Sequence, residues 1–322
     1  MVMENGILSL VPKPLHELDE ANLERKRETA KVTSATLRYL TEYLSDQGFE
    51  WMLPVILSKT TDPLWPDPGA SIEKRLEFEV YGETVRTTQS MIIHKLVSSS
   101  LLAPKIFVVS PNIRIEKRER GTTGRHAYEF TQLDFEVRDG TFASVKSLVE
   151  GAIVGLIRNL KKRKGEKSSV ASLGRLKTPE LPFTTFDRRK LEKKYGTQWE
   201  TRLTGAIAEP VWVTNIPREF YDFEDPRTGV WENYDLFVPG YGEILSGAKR
   251  EWEYSKIMAK LERDGVRKEN YKVILDLARE GRLKPSAGAG IGIERLIGWM
   301  LGAEHVGDVQ PFPRVPGTVY DL

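Results

Sequence analysis

Two alternating segments flank a charged loop between residues 113 and 137, which read IRIEKRERGTTGRHAYEFTQLDFEV. Side chains of a strand alternate between its two faces, so each segment can bury one face and present a charged one. Gly121 and Gly124 give the loop between them a flexible backbone, and the pattern predicts an antiparallel hairpin. In its second arm, the buried face would hold Thr131, Leu133, Phe135 and Val137, and the polar face Phe130, Gln132, Asp134 and Glu136. That face could be a solvated surface, or a site where cations bind phosphate and carboxylates bind ammonium.

Helical periodicity is clearest over residues 17–47, where Leu37, Leu40 and Leu44 recur on one side and Gly48 follows as a stop. A short strand is predicted at residues 49–54, and residues 58–71 and 168–182 are predicted to be loops. Further helices are predicted at residues 89–102, 142–162, 188–195, 198–208, 251–264, 269–280 and in the apolar end of 287–301. Further strands are predicted at residues 76–86 (a hairpin), 105–110, 211–214 and 233–238.

One strand is predicted over residues 243–250, where Glu243 and Arg250 lie an odd number of positions apart and so would point to opposite faces. Both can face one site only if the strand bends between them. Gly247 is the predicted position of that bulge.

Charge and cysteine content narrow the class of protein. The 322 residues carry 48 Lys and Arg against 46 Asp and Glu, and no Cys. This balance argues against a generic nucleic-acid coat or a polybasic membrane binder. The lack of Cys excludes disulfides, thiolate metal sites and a cysteine nucleophile. No apolar run approaches the roughly 18 residues of a membrane helix, and no signal-peptide order is present, so we expect a cytoplasmic protein. The basic run at 161–164 fits a helix C-terminus, with nucleic-acid contact as the alternative.

Three stretches, taken in order, resemble the signature motifs of the class II aminoacyl-tRNA synthetases. They are the long helix with its strand ending at Pro54, the hairpin with EFTQLDFE at 129–136, and the segment holding Gly288, Gly290, Gly292, Glu294 and Arg295. The run YDLFVPGYGEILSGAKR at 234–250 resembles the aspartyl and asparaginyl branch. The resemblance implies an α+β fold, a mainly antiparallel sheet of six or seven strands flanked by helices. It divides the chain into an N-terminal extension (1–16) and a catalytic domain (17–322).

The resemblance also implies ATP bound on the sheet, Mg²⁺, and a homodimer formed through the first helix and the Pro54 strand. It gives catalytic roles to Arg114, at the ATP α-phosphate, and Arg295, at the γ-phosphate. The implied nucleotide-binding residues are Glu116 and Phe130 for adenine, Arg125 and His126 for phosphates, and Glu243, Ser246, Gly292 and Glu294. The implied magnesium ligands are Asp235, Glu243 and Ser246, which offer oxygen atoms. The implied amino-acid-binding residues are Ser90, Lys95, Asp134 and Arg250.

Two cations, Lys95 and Arg250, are expected to face the substrate side chain, which favours aspartate; a lysine-specific site would need carboxylates there. Only about 16 residues precede the first helix, whereas an anticodon-binding barrel of five strands needs on the order of 70 to 100. The chain therefore resembles an archaeal branch of the family that consists of the catalytic domain alone. There, ATP activates aspartate and ammonia converts the adenylate into asparagine, AMP and pyrophosphate.

Ile92, where the family usually has glutamine, could permit aspartate to bind reversed for that reaction. Binding of tRNA is not expected. The alternatives are transfer of aspartate to a tRNA or protein, and a non-catalytic paralogue with a binding role.

Overall fold

The computed structural model describes residues 12–64, 72–163, 173 and 176–321. Within them fifteen strands are found, numbered in chain order: β1 (Glu50–Met52), β2 (Leu57–Ser58), β3 (Ile72–Lys74), β4 (Glu77–Val80), β5 (Glu83–Thr87), β6 (Lys105–Ile113), β7 (Ile115–Glu116), β8 (Glu129–Arg138), β9 (Thr184–Asp187), β10 (Val211–Thr214), β11 (Glu224–Asp225), β12 (Val230–Trp231), β13 (Asn233–Val238), β14 (Gly242–Lys249) and β15 (Ser286–Gly292).

The same residues form nine α-helices: α1 (Glu20–Asp46), α2 (Ile92–Leu101), α3 (Phe142–Arg163), α4 (Arg188–Tyr195), α5 (Trp199–Ala206), α6 (Tyr254–Arg263), α7 (Lys272–Arg279), α8 (Ile293–Leu301) and α9 (Val306–Val309). Helix α1 is capped by Asp19, whose side chain accepts a hydrogen bond from the backbone N–H of Asn22 at 2.8 Å. No helix in these described ranges is both long enough and apolar enough to cross a membrane.

Eight of the described strands form one sheet in the order β1-β6-β8-β15-β14-β13-β10-β9. The pairs at its two ends, β1 with β6 and β10 with β9, are parallel. The pairs between them are antiparallel. The predicted α+β fold with a mainly antiparallel sheet is confirmed, although the sheet has eight strands rather than six or seven.

The two faces of this sheet are covered differently. Helices α1, α3 and α8 pack on the apolar face, where Leu133 and Phe135 of β8 join the main core with Leu40 and Ile153. Helix α2 lies on the opposite face, and a second core joins it to α6 and α7. The polar face of β8 is therefore enclosed under α2: Asp134 is 2% exposed. The alternative of a solvated charged face is wrong, because the carboxylates on that face, Asp134 and Glu136, are buried.

Most predicted helices are a few residues shorter in the structure. The helix predicted from residue 89 begins at Ile92, because Ser90 Oγ accepts from the Ile92 N–H at 3.2 Å and the Gln89 N–H is held by Thr61. The strand predicted at 105–110 continues to Ile113 as one arm of the hairpin. The predicted loops at 58–71 and 168–182 fall partly outside the described residues.

The bend predicted in the strand at 243–250 is present, but at another position. The register between β13 and β14 shifts between Leu236 and Phe237, which pair with Leu245 and Glu243 and leave Ile244 as the extra residue. Gly247 instead lies against β15, where a Cβ would come within 2.5 Å of the Gly288 carbonyl oxygen. The bulge at Ile244 brings both Glu243 and Arg250 to the same cavity.

Candidate active site

A cavity of about 480 Å³ lies on the polar face of β8, β15 and β14. Strands β8 and β15 form its floor, where a row of glycines in β15 lies beside a row of polar side chains in β8. Gly288 pairs with Glu136, Gly290 with Asp134 and Gly292 with Gln132. A Cβ on Gly288 would overlap the Glu136 carboxylate, and one on Gly290 would lie 2.8 Å from Asp134 Oδ1. The small residues in this strand therefore make room for the neighbouring carboxylates.

Nearly all the site residues predicted from the sequence line this cavity. Those on its wall are Ser90, Lys95, Arg114, Glu116, Arg125, His126, Phe130, Asp134, Glu243, Ser246, Arg250, Gly292, Glu294 and Arg295. Asp235 does not line it; Arg218, which does, donates from Nη2 to Asp235 Oδ2 at 2.5 Å. The individual roles of these residues remain predictions.

One end of the cavity is cationic. Arg295 Nε donates to the Arg125 carbonyl at 3.2 Å, and its Nη1 lies 3.4 Å from Glu243 Oε1. Burial, followed by the positive charge of neighbouring arginines such as Arg295, lowers the pKa of His126 to about 3. The imidazole is therefore neutral at physiological pH, where it lies 2.8 Å from Arg120 Nη1. Such a set of fixed donors suits the oxygens of a polyphosphate.

Arg114 is another residue of the cavity wall. Its Nε donates to the Gln89 carbonyl at 2.9 Å, and its guanidinium carbon lies 5.2 Å from the centre of the Phe130 ring. The other nitrogens of its fork have no hydrogen-bond partner within the described residues, so they are available to an anion. Glu116, beside it, is buried; burial raises the pKa of its carboxyl, and Arg120, 3.5 Å away, opposes that rise.

Glu294 has a structural partner already. Both of its carboxylate oxygens accept from the Thr131 N–H, at 2.9 and 3.0 Å, and Gln310 Nε2 lies 3.5 Å away. Gln310 also donates to the Glu129 carbonyl at 2.8 Å. Glu294 thus fixes the start of β8 to the chain after α8, which positions Phe130 within the cavity wall.

At the other end, the two cations expected to face the substrate are both paired. Lys95 Nζ donates to Asp134 Oδ1 at 2.9 Å, to the Ala289 carbonyl at 3.2 Å and to the Phe135 carbonyl at 3.5 Å. An ammonium group has three donors, so Lys95 has none left for a ligand. It is also 3% exposed.

Arg250 is held on three sides. Its Nε donates to Glu136 at 3.2 Å, its Nη1 to Asp222 at 2.5 Å and its Nη2 to the Gly288 carbonyl at 3.2 Å. Two of its five N–H donors remain for a ligand. Carboxylates also lie at this end, although the sequence analysis expected them there only in a lysine-specific site.

The segment around residues 218–222 was missed by sequence reasoning. It contributes Arg218, Glu219, Tyr221 and Asp222 to the cavity wall, and α5 contributes Glu200. Burial, followed by the charge of Asp62, raises the pKa of Glu219 to about 8. Tyr221 Oη donates to Asp62 Oδ1 at 3.1 Å, so the predicted loop at 58–71 also reaches the site. A detectable signal was the run Glu219-Phe220-Tyr221-Asp222, in which two aromatic residues stand between two acids.

The predicted magnesium ligands lie close together. Burial raises the pKa of Asp235 to about 7, and the charge of Glu243 adds to that rise. The charge of Arg218 and a hydrogen bond from Ser246 oppose the rise. Two carboxylates and a hydroxyl are oxygen ligands of the kind Mg²⁺ prefers. No group of three or more His, Cys, Asp or Glu side chains in the described part of the chain could hold a metal unaided. The set therefore fits an ion that takes its remaining ligands from a phosphate and water.

Comparison with known proteins defines the class. The chain belongs to the class II tRNA synthetases (D, K and N), whose sequence profile matches residues 18–316. It is 26% identical over 327 residues to an asparagine–tRNA ligase of Koribacter versatilis, spanning 92% of this chain and 70% of the relative. It is 28% identical over 314 residues to that of Thermococcus kodakarensis, spanning 90% and 69%.

Solved structures give the same class. The asparaginyl-tRNA synthetase of Pyrococcus horikoshii, complexed with asparaginyl-adenylate, matches with a TM-score of 0.79 and 26% identity, covering 92% of this chain and 70% of that one. The asparaginyl-tRNA synthetase of Entamoeba histolytica, at 23% identity and a TM-score of 0.79, supports the fold alone.

These relatives correct the activity expected from the sequence. The expectation of an aspartate–ammonia ligase is wrong, because the matching relatives are asparagine–tRNA ligases and a solved one holds asparaginyl-adenylate. An aspartate side chain would need Lys95 and Arg250 as unpaired cations. In the structure their charges are already balanced by Asp134, Glu136 and Asp222.

Proposed function

We propose that this protein activates asparagine with ATP and transfers it to a tRNA. The named activity of its relatives supports the tRNA acceptor and the amino acid. The structural observation that carries the proposal is the position of Arg114. Its free guanidinium nitrogens line the same cavity as Arg125, Arg295 and Arg250, and its charge acts on Glu243 together with those of Arg125 and Arg295. A carboxylate and a phosphate that meet in this cavity would meet at Arg114.

Adenylate formation there needs little covalent chemistry from the protein. An oxygen of the asparagine α-carboxylate attacks the α-phosphorus of ATP, the bond to the bridging oxygen breaks, and pyrophosphate leaves with the electron pair. Arg114 would hold the carboxylate and the α-phosphate together, and Arg125 and Arg295 would neutralise the departing pyrophosphate. In the second step a ribose hydroxyl at the tRNA terminus attacks the carbonyl carbon and AMP leaves.

Asp235, Glu243 and Ser246 are the residues that would hold magnesium beside the phosphates. The ion would supply positive charge at the phosphate oxygens. Arg218 has to leave Asp235 for that carboxylate to bind it, since the two now share a hydrogen bond of 2.5 Å.

The amide side chain of asparagine suits the end that holds Arg250. Its carbonyl oxygen can accept from the N–H donors that Arg250 has left, and its NH₂ group can donate to carboxyl oxygens such as those of Asp222 and Glu219. A neutral amide adds no charge to an end where Lys95 and Arg250 already have carboxylate partners. The α-ammonium can donate to Asp134 Oδ2, which is buried and has no partner among the described residues.

A homodimer is part of the proposal. Strand β1 is an edge of the main sheet, and apolar residues on and just after it are exposed, with Trp51 at 59% and Leu53 at 88%. Exposed apolar side chains beside an open strand edge are typical of a protein–protein contact. Helix α1 packs next to this edge and would extend the contact.

Exchange of labelled pyrophosphate into ATP tests the activation step. We expect exchange that depends on asparagine, and asparaginyl-tRNA when tRNA is added. Arg114→Ala should lower exchange by about two to three orders of magnitude, with an unchanged circular dichroism spectrum as control. Formation of asparagine from aspartate and ammonium, without tRNA charging, would contradict the proposal.

A further inference from the structure

Asp222 occupies the position at which a carboxylate ligand of Arg250 would bind. It lies 2.5 Å from Nη1, its backbone forms an isolated bridge with that of Arg250, and it is 4% exposed. Lys260 holds the backbone of the same residue, because its Nζ donates to the Asp222 carbonyl at 2.6 Å. The carboxylate is thus held on the arginine by contacts on both its side chain and its backbone.

The charges around it make this end of the cavity acidic. Lys95 and Arg250 are the two cations, and the carboxylates in direct contact with them are Asp134, Glu136 and Asp222. Asp62 adds a further carboxyl group to the same cavity. A ligand that brings another carboxylate to Arg250 would face Asp222 across the guanidinium, and like charges at that separation repel strongly in a buried site.

We propose that Asp222 is a specificity-determining residue that reserves Arg250 for an uncharged side chain and rejects a carboxylate. This inference rests on the proposed function, since it concerns the amino-acid end of the same site. Asp222 positions and neutralises Arg250, leaving it two N–H donors, enough for one amide oxygen. An aspartate side chain would have to displace Asp222 or bind beside it, and both cost affinity.

Titration calorimetry with the full chain and each free amino acid tests the inference without turnover. The wild type should bind asparagine more tightly than aspartate. Asp222→Asn keeps an oxygen acceptor for Arg250 and removes the charge, so the preference should fall by about tenfold or more, mainly through tighter aspartate binding. Asp225→Asn, the same change at a partly exposed strand residue that does not line the cavity, should leave the preference unchanged.

Asp222→Ser serves if Asp222→Asn does not fold, because it also removes the charge and opens space for a ligand carboxylate. An unchanged ratio in a folded variant would overturn the inference, as would a wild type that binds the two amino acids equally or binds neither. Failure of the proposed function would differ: exchange and tRNA charging would be absent while the binding ratio still changed with Asp222.

Discussion

Replacing Lys95 by Met tests how much the buried ion pair with Asp134 contributes to stability. Met has a similar length and no charge. Lys95 supplies the one hydrogen bond that the Asp134 side chain makes within the described residues, at 2.9 Å, and its ammonium also lies 3.7 Å from Glu136. The variant therefore leaves a buried carboxylate without a partner.

The expected cost follows from burial. The side chains of Lys95 and Asp134 are each 3% exposed, and that of Glu136 is 0% exposed. Removing one partner from a buried pair costs about 3–5 kcal/mol, because the remaining charge stays desolvated. An exposed pair would cost under about 1 kcal/mol. The prediction for Lys95→Met is a loss of about 3–5 kcal/mol in the free energy of unfolding.

Urea unfolding followed by tryptophan fluorescence measures this loss. Lys105→Met is the matched control. Lys105 Nζ donates to the exposed carbonyl of Gln47 and lies 5.7 Å from the centre of the Phe49 ring, so its loss should cost about 1 kcal/mol or less. In Lys95→Met with Asp134→Asn the second change should recover part of the loss, by about 0.5–3 kcal/mol of coupling. A loss below 1 kcal/mol for Lys95→Met, with normal urea dependence, would refute the reasoning.

Three further predictions concern other parts of the molecule. Glu219→Gln should weaken the pH dependence of the melting temperature. Between about pH 4.5 and 8 the folded carboxyl keeps a proton that the unfolded one releases, so the stability of the wild type falls as pH rises. The same change of melting temperature with pH in both proteins would argue against this. Glu150→Ala should cost about 1–3 kcal/mol in unfolding free energy by urea titration. The change removes Oε1, which accepts from the Phe183 N–H at 2.9 Å and from Trp212 Nε1 at 3.0 Å. No loss would show that water replaces these bonds. Leu53→Asp should dissociate the dimer in analytical ultracentrifugation, whereas Val273→Asp, on α7, should not; a monomeric wild type would end the dimer proposal.

The regular elements of this fold could be predicted from the sequence because each carries its own periodicity. The alternation in β8 specified which residues enter the core, and Leu133 and Phe135 are 0% and 1% exposed. Helix α1 was recognisable from its leucine spacing. The motif residues could be assigned to one cavity because the resemblance supplied their order, which local patterns alone do not.

Charge balance inside the site could not be predicted, because it depends on contacts between residues far apart in sequence. Arg250 meets Glu136 across 114 positions, and Lys95 meets Asp134 across 39. Asp222 was missed because it lies in an irregular segment with no periodicity. The bulge was placed at Gly247 from residue type, whereas the register with β13, which local sequence does not contain, puts it at Ile244.

The glycine row of β15 restricts how this site can diverge. Any side chain at Gly288 or Gly290 would displace a carboxylate of β8 before it touched a ligand. A library of all substitutions in the cavity should therefore yield few folded variants at those positions. New amino-acid preferences should arise instead on the opposite walls, at Ile92 of α2 or in the irregular segment that holds Asp222, where a changed side chain meets the ligand first.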